Sequence, residues 1–260
     1  MNKFLLFFLL IIALLSCKKS PNEMPVPPES PSNIGKALCQ IKTNKETGHV
    51  IATRLYNDAG KLYLETTKDE LTGIEFYQQF FYKEGKLYRS DISNENRKRS
   101  RIDYEYFEGK LSKMRFFEFD RFQNSQLNFE RYFEYKKGIL RKISTKGSDG
   151  SDGEFTVFTS VNGNVIGTKT YSANGQLLNA FQFEYDNKVN PYYGQSDYFQ
   201  SYLGYSKSNV VKSTFYDFSG NGSSKISLFK YEYNIQNLPV ASYIVENSGL
   251  KRLIVTFEYK

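Results

Sequence analysis

The sequence predicts an all-β chain: an antiparallel meander of serial β-hairpin repeats forming a strongly twisted or curled sheet, with one short helical insertion. Three observations predict it. An aromatic-Glu-Tyr triplet recurs, glycine-bearing turns follow the aromatics at a fixed distance, and apolar and charged residues alternate between the turns.

The triplet occurs as Tyr104-Glu105-Tyr106, Phe133-Glu134-Tyr135, Phe183-Glu184-Tyr185, Tyr231-Glu232-Tyr233 and Phe257-Glu258-Tyr259. Its starts lie 29, 50, 48 and 26 residues apart. These intervals are one or two units of about 25 residues, a length that suits two strands and two turns. Just beyond the aromatic comes a turn and then an aliphatic residue, as in Tyr56 to Leu62, Tyr82 to Leu87, Tyr106 to Leu111, Tyr135 to Leu140 and Tyr171 to Leu177. Gly stands three or four residues after each Tyr because short hairpin loops need a residue at positive φ, where Gly costs least.

Alternation selects strands over helices. In Arg101-Ile102-Asp103-Tyr104-Glu105-Tyr106 the even positions are apolar and the odd ones charged. A period of two puts one set on a core face and the other in water. The central Glu of each triplet is therefore expected outside, facing cations of the return strands such as Lys113, Arg115, Arg141, Lys142, Lys169 and Arg252. Some ten to thirteen strands are expected, with the first and last hairpins leaving edges open to a partner strand.

The leader reads separately. Met1-Asn2-Lys3 carries one charge, Phe4 to Leu15 are apolar, and Ser16-Cys17 follows. The run falls short of the roughly 20 residues that span a bilayer and has the layout of a secretory signal peptide. Leu14-Leu15-Ser16-Cys17 resembles the lipobox of bacterial lipoproteins. The resemblance implies cleavage before Cys17 and diacylglycerol on its thiol, which would hold the chain to a membrane. Residues 1–16 are then the signal, 17–35 a lipidated tether and 36–260 the repeat domain. The tether carries Pro21, Pro25, Pro27, Pro28 and Pro31. In extended polyproline geometry, at ~3.1 Å per residue, it reaches up to roughly 55 Å.

The Tyr-turn-Gly-x-Leu pattern resembles the YD repeats of RHS-type proteins and, more closely, the repeats of Bacteroidota envelope lipoproteins. The second likeness rests also on Tyr185-Asp186-Asn187-Lys188-Val189-Asn190-Pro191-Tyr192-Tyr193, followed by Ser206 to Val211. It implies a fold and a place in the bacterial cell envelope, at the outer membrane, without assigning a face or an activity.

The least repetitive stretch, residues 190–209, gathers Tyr192, Tyr193, Tyr198, Phe199, Tyr202 and Tyr205. Ser196-Asp197 suits the cap of a short helix near 195–205, with Tyr198, Tyr202 and Tyr205 on one stripe. These aromatics are the candidate binding residues, for stacking on a glycan or for contact with an envelope protein. The alternative, and the preferred one, is a plug over one open side of the core. Arg97-Lys98-Arg99 with Arg101 suits a solvated hairpin tip or an acidic ligand. Asp149 and Asp152 stand three apart, unlike the ligand spacing of a calcium loop, so 147–154 reads as a polar loop.

No cofactor or metal is expected, and His49, the only histidine, has no nucleophile or metal-ligand motif around it. Cys39 reads as a small buried hydrophobe. The formal charge of +7 suits anionic headgroups or acidic glycans, or merely a solvated sheet face. A nucleic-acid partner does not fit an exported, anchored chain. The leading function is a non-enzymatic binding or structural module. The alternative is an anchored glycan hydrolase with paired carboxylates. A membrane-spanning barrel would need an uncharged outer band ~25 Å tall, which alternating charges oppose.

Overall fold

The computed structural model describes residues 38–44, 50–68, 72–94, 97–195, 202–219 and 222–259. The signal, Cys17, the tether, His49, Ser196, Asp197, Tyr198 and Phe199 lie outside these residues, as do the side chains of Cys39 and Tyr202.

Sixteen strands follow one another: β1 (Leu38–Asn44), β2 (Val50–Tyr56), β3 (Leu62–Lys68), β4 (Glu75–Lys83), β5 (Lys86–Asn94), β6 (Arg97–Phe107), β7 (Lys110–Phe119) and β8 (Ser125–Lys136), then β9 (Ile139–Gly147), β10 (Asp152–Val161), β11 (Asn164–Tyr171), β12 (Leu177–Val189), β13 (Ser208–Asp217), β14 (Ser223–Tyr233), β15 (Pro239–Val245) and β16 (Lys251–Tyr259). Among the described residues one helix, α1 (Tyr202–Tyr205), interrupts them. Each strand pairs antiparallel with its neighbours in sequence. The described residues hold more strands than the ten to thirteen expected, because hairpins whose first strand lacks the triplet, β2, β4 and β10, add to those it marks.

The sheet closes. Strand β1 pairs with β16 through Leu38↔Tyr259, Ile41↔Phe257 and Thr43↔Val255, so the curl becomes a barrel. The edges expected at the first and last hairpins are thereby paired with each other, which corrects that expectation. Closure removes the unpaired backbone groups that invite edge-to-edge association.

A bulge repeated in phase with the triplet supplies curvature. Tyr82 pairs with Leu87 while Phe81 pairs with Arg89, leaving Tyr88 as an extra residue on the return strand. Ser112 and Arg141 occupy the same place in the next two hairpins, and Ile166 in the one after. A bulge bends its strand and increases local twist. It also shifts the buried positions, so the inward set reads Leu111 and Met114, or Leu140 and Ile143, three residues apart.

Turns that join β4 to β5, β6 to β7 and β8 to β9 hold two residues each, Glu84-Gly85, Glu108-Gly109 and Lys137-Gly138. Both residues of each have positive φ, from 48° to 81°. This is the type I′ arrangement whose twist matches the flanking strands, and Gly at the second place relieves half of its steric cost. The turn at Asn162-Gly163 has the same geometry without a preceding Tyr. By contrast, Tyr171 to Leu177 joins β11 to β12, so it lies at the opposite end of the barrel from the other four turns that share its plan. Turn chemistry reports a bend, not the end at which it falls.

The inner face forms one core that includes Tyr56, Phe80, Tyr104, Phe133, Phe158, Phe183 and Phe257. Fully burying a side chain of this size contributes about 1.5–3 kcal/mol. The triplet glutamates point outward as expected. Glu105 pairs with Arg115, Glu134 with Lys142, Glu184 with Lys212 and Glu258 with Lys42, at 2.6 to 3.3 Å. The basic run starts at the β5–β6 tip, where Arg97 is in register with Asn94, and continues into the strand. Arg97 opens β6, Lys98 pairs with Asp91 across the sheet, and Arg101 pairs with Asp103.

Candidate functional site

The barrel has two unlike mouths. At the end formed by the type I′ turns, tyrosine hydroxyls join strands that no turn connects. Tyr82 Oη donates to the Leu62 carbonyl at 2.8 Å, Tyr185 Oη to that of Val165, and Tyr259 Oη to that of Pro239 at 2.9 Å. Each acceptor lies 20 residues before its tyrosine. Lysines of the Gly-Lys-Leu turns cover tyrosine rings at this end: Lys61 sits 5.1 Å from the centre of Tyr82, Lys86 5.4 Å from Tyr106, and Lys110 5.5 Å from Tyr135. Such cation–π contacts contribute about 0.5–1 kcal/mol at exposed sites.

The described residues of the segment between β12 and β13 pack against the inner wall at this mouth. Tyr192 is 8% exposed and meets Phe257 of β16 edge-on at 5.8 Å. Tyr205 meets Phe158 of β10 at 6.1 Å. Tyr56 Oη, on β2, donates to Gln195 Oε1 at 3.1 Å. The insertion therefore touches β2, β10 and β16 as well as its own flanking strands, which makes it the plug. Tyr193 is half-buried, and burial raises its phenol pKa. Of the six aromatics singled out in the sequence, Tyr192 and Tyr205 thus serve the core. Of the span expected to be helical, Tyr202–Tyr205 is helical and residues 196–201 lie outside the described residues, as does most of the expected stripe.

Polar side chains hold the plug at both ends. Asn190 Nδ2 donates to the carbonyls of Leu203 and Ser206 at 2.7 and 2.8 Å, and its Oδ1 accepts from the Tyr192 amide. Ser206 Oγ accepts from the Val165 amide and bonds Tyr185 Oη. Asp186 accepts from the Asn209 amide and from Tyr233 Oη. Burial, and then the Asp186 carboxylate, push the Tyr233 phenol far above its usual value. The resemblance drew attention to Asp186 and Asn190. Ser206, Asn209 and Tyr233 also lay in quoted motifs, but neither the resemblance nor the triplet showed that these residues anchor a plug, since their partners are distant in sequence.

Toward the other mouth the inner wall stays aromatic but only half-buried. Phe116 stacks on Phe129 at 4.2 Å, and Phe181 lies against Phe183 and Phe215 at 5.8 and 4.9 Å. The Arg131 guanidinium lies 5.3 and 5.5 Å from the rings of Phe116 and Phe129. Burial lowers its pKa, yet an arginine stays charged, so a cation stands in the aromatic wall. Lys225, in register with Phe215, is solvent-exposed. The inner wall is thus covered by the insertion's described residues at one end and reaches solvent at the other.

Other candidates are consumed locally. Asp149 accepts from the amide and hydroxyl of Ser151 at 2.9 and 2.6 Å, and Asp152 pairs with Lys146 at 3.5 Å, so both serve the 147–152 turn. Around the outside, ion pairs stud β1, β6 to β9, β12, β13 and β16.

No protein-family model matches the sequence, and comparison with curated proteins finds no match. Among solved structures, a porin-like protein from Bacteroides uniformis superposes with a TM-score of 0.56 at 15% identity, over 90% of this chain and 99% of that one. A porin-like protein from Bacteroides vulgatus gives 0.55 at 14% identity, over 86% and 98%. At such identities the likeness shows a shared fold.

Proposed function

We propose that this chain is a lipid-anchored protein of the bacterial envelope that binds a ligand inside a blind β-barrel and does not transform it. The observation that carries the reading is the plug. With Tyr192 and Tyr205 seated on the core of one mouth, the half-buried aromatic wall of Phe116, Phe129, Phe181 and Phe215 faces the other. A ligand with a flat or apolar face, a sugar ring included, suits such a wall, and Arg131 beside it favours an anionic substituent.

Two alternatives fare less well. The solved neighbours are described as porin-like, but a conducting pore needs two open mouths and an apolar belt; this chain has a plug and an ion-paired exterior. A glycan hydrolase needs two carboxylates roughly 5–10 Å apart in a cleft. The triplet glutamates lie outside, and Asp186 is committed to Asn209 and Tyr233.

Two experiments test the proposal. Labelling with palmitate during expression is expected to mark the protein, and Cys17→Ser to abolish the mark and release the chain from membranes; an unlabelled protein would end the anchor. Native mass spectrometry of protein from its own envelope is expected to show a bound mass that Phe116→Ala with Phe181→Ala removes. A ligand-free spectrum, or hydrolysis of offered glycans, would overturn the binding role.

A further inference from the structure

The two mouths differ in charge as well as in closure. Consider the connections at each end together with the strand residues that bound them. Among the described residues of the plugged end seven lysines stand against three acidic side chains, Asp58, Glu84 and Glu108. Among the described residues of the open end, Lys68, Arg97, Arg121 and Lys251 stand against six, Asp120, Asp149 and Asp217 among them. The barrel is electrically polar along its axis.

Apolar side chains protrude between the lysines of the plugged end. Ile235 is 99% exposed at the tip of the β14–β15 turn and Phe107 69% exposed beside Glu108, with Ile139, Val161 and Val189 around the same rim. Exposed apolar residues occur at the open mouth too, Phe122, Phe218 and Leu250. Charge and chain entry therefore choose between the faces. Strand β1 begins with Leu38 opposite Tyr259, the last residue of β16, so the chain enters the barrel at the plugged end. Cys17 lies 21 residues before that point, within the reach of an extended tether.

Basic and apolar side chains sharing one face, on the side where an acyl anchor would pull, match the surface of an anionic bilayer. We propose that the plugged end docks on anionic phospholipid headgroups, with Ile235 and Phe107 entering the interface, so that the open mouth points away from the membrane. This orientation rests in part on the Cys17 anchor proposed above; the lipid-binding face itself does not.

The test uses the chain from residue 17 onward carrying Cys17→Ser, so that it has no acyl group and the result is independent of lipidation. It is floated with vesicles of phosphatidylcholine alone or with one quarter phosphatidylglycerol. Binding is expected only to the anionic vesicles, to weaken with salt, and to fall at least tenfold in Lys83→Glu/Lys136→Glu/Lys137→Glu. The open-end variant Lys68→Glu/Arg121→Glu/Lys251→Glu is expected to bind as the parent does. Because the sequence has no Trp, Ile235→Trp supplies a second readout. Its fluorescence should shift to the blue on anionic vesicles, while Phe122→Trp should not respond. Equal binding to both vesicle types, equal loss in both triple variants, or a blue shift only at position 122 would each overturn the proposal.

Discussion

Tyr82 Oη donates to the backbone carbonyl of Leu62, 20 residues earlier, across two strands that no turn joins at that end of the barrel. Turns connect every other pair of strands there, and the tyrosine hydroxyl secures the pair between. The repeat thus needs Tyr rather than Phe at this position, and it needs the glycine turn nearby to bring the strands into reach. Tyr82→Phe should destabilise the protein by about 1 kcal/mol, the usual worth of such a bond. Tyr63→Phe, at a half-exposed bulge position, should be neutral. Urea midpoints with unchanged slope would measure both.

Asn190 is 2% exposed and holds the plug by three hydrogen bonds. Removing its amide leaves buried carbonyls without a donor, each costing about 1–3 kcal/mol. Asn190→Ala is expected to open the insertion locally before the barrel melts. Limited proteolysis should then cut within 190–207 at a urea concentration that leaves the parent intact.

Acid should loosen the outer face at Asp91. Burial favours its neutral form, but hydrogen bonds from Arg89 and Lys98 outweigh this and hold its carboxyl below the usual value. A depressed folded pKa means that the stabilisation is complete above the ordinary aspartate value of about 3.9. It is lost as pH falls from there toward the folded value. Asp91→Asn should therefore be less stable than the parent at pH 7, and the two should converge below about pH 4.

Tyr233 behaves in the opposite sense. Its phenol is raised by burial and by the Asp186 carboxylate, so the stabilisation is present below the ordinary tyrosine value of about 10 and declines above it. Absorbance at 295 nm should show tyrosines titrating late, Tyr233 and the buried Tyr259 among them. Tyr233→Phe should reduce the amplitude of that late phase without abolishing it.

Much of this was legible in the sequence. Alternation placed Glu105, Glu134, Glu184 and Glu258 outside, and Gly85, Gly109 and Gly138 marked real turns. The plug was legible too, as the one aromatic-rich break in the repeat. What escaped is non-local. Closure depends on Leu38 meeting Tyr259, residues that share no pattern. The bulges at Tyr88, Ser112 and Arg141 are side chains of ordinary strand character, recognisable only from pairing. Lys61, Lys86 and Lys110 belonged to turns that were read correctly, yet their contact with the next tyrosine crosses to another hairpin.

Closure of the sheet turns a curled meander into a barrel, and a designed cross-link tests it most directly. Lys42 and Thr256 face each other on β1 and β16. With Cys17 and Cys39 changed to Ser, Lys42→Cys/Thr256→Cys should oxidise within single molecules to near completion, giving a faster-migrating monomer on non-reducing gels. Failure to oxidise, or oxidation only into dimers, would mean that the two strands are apart and the barrel is open.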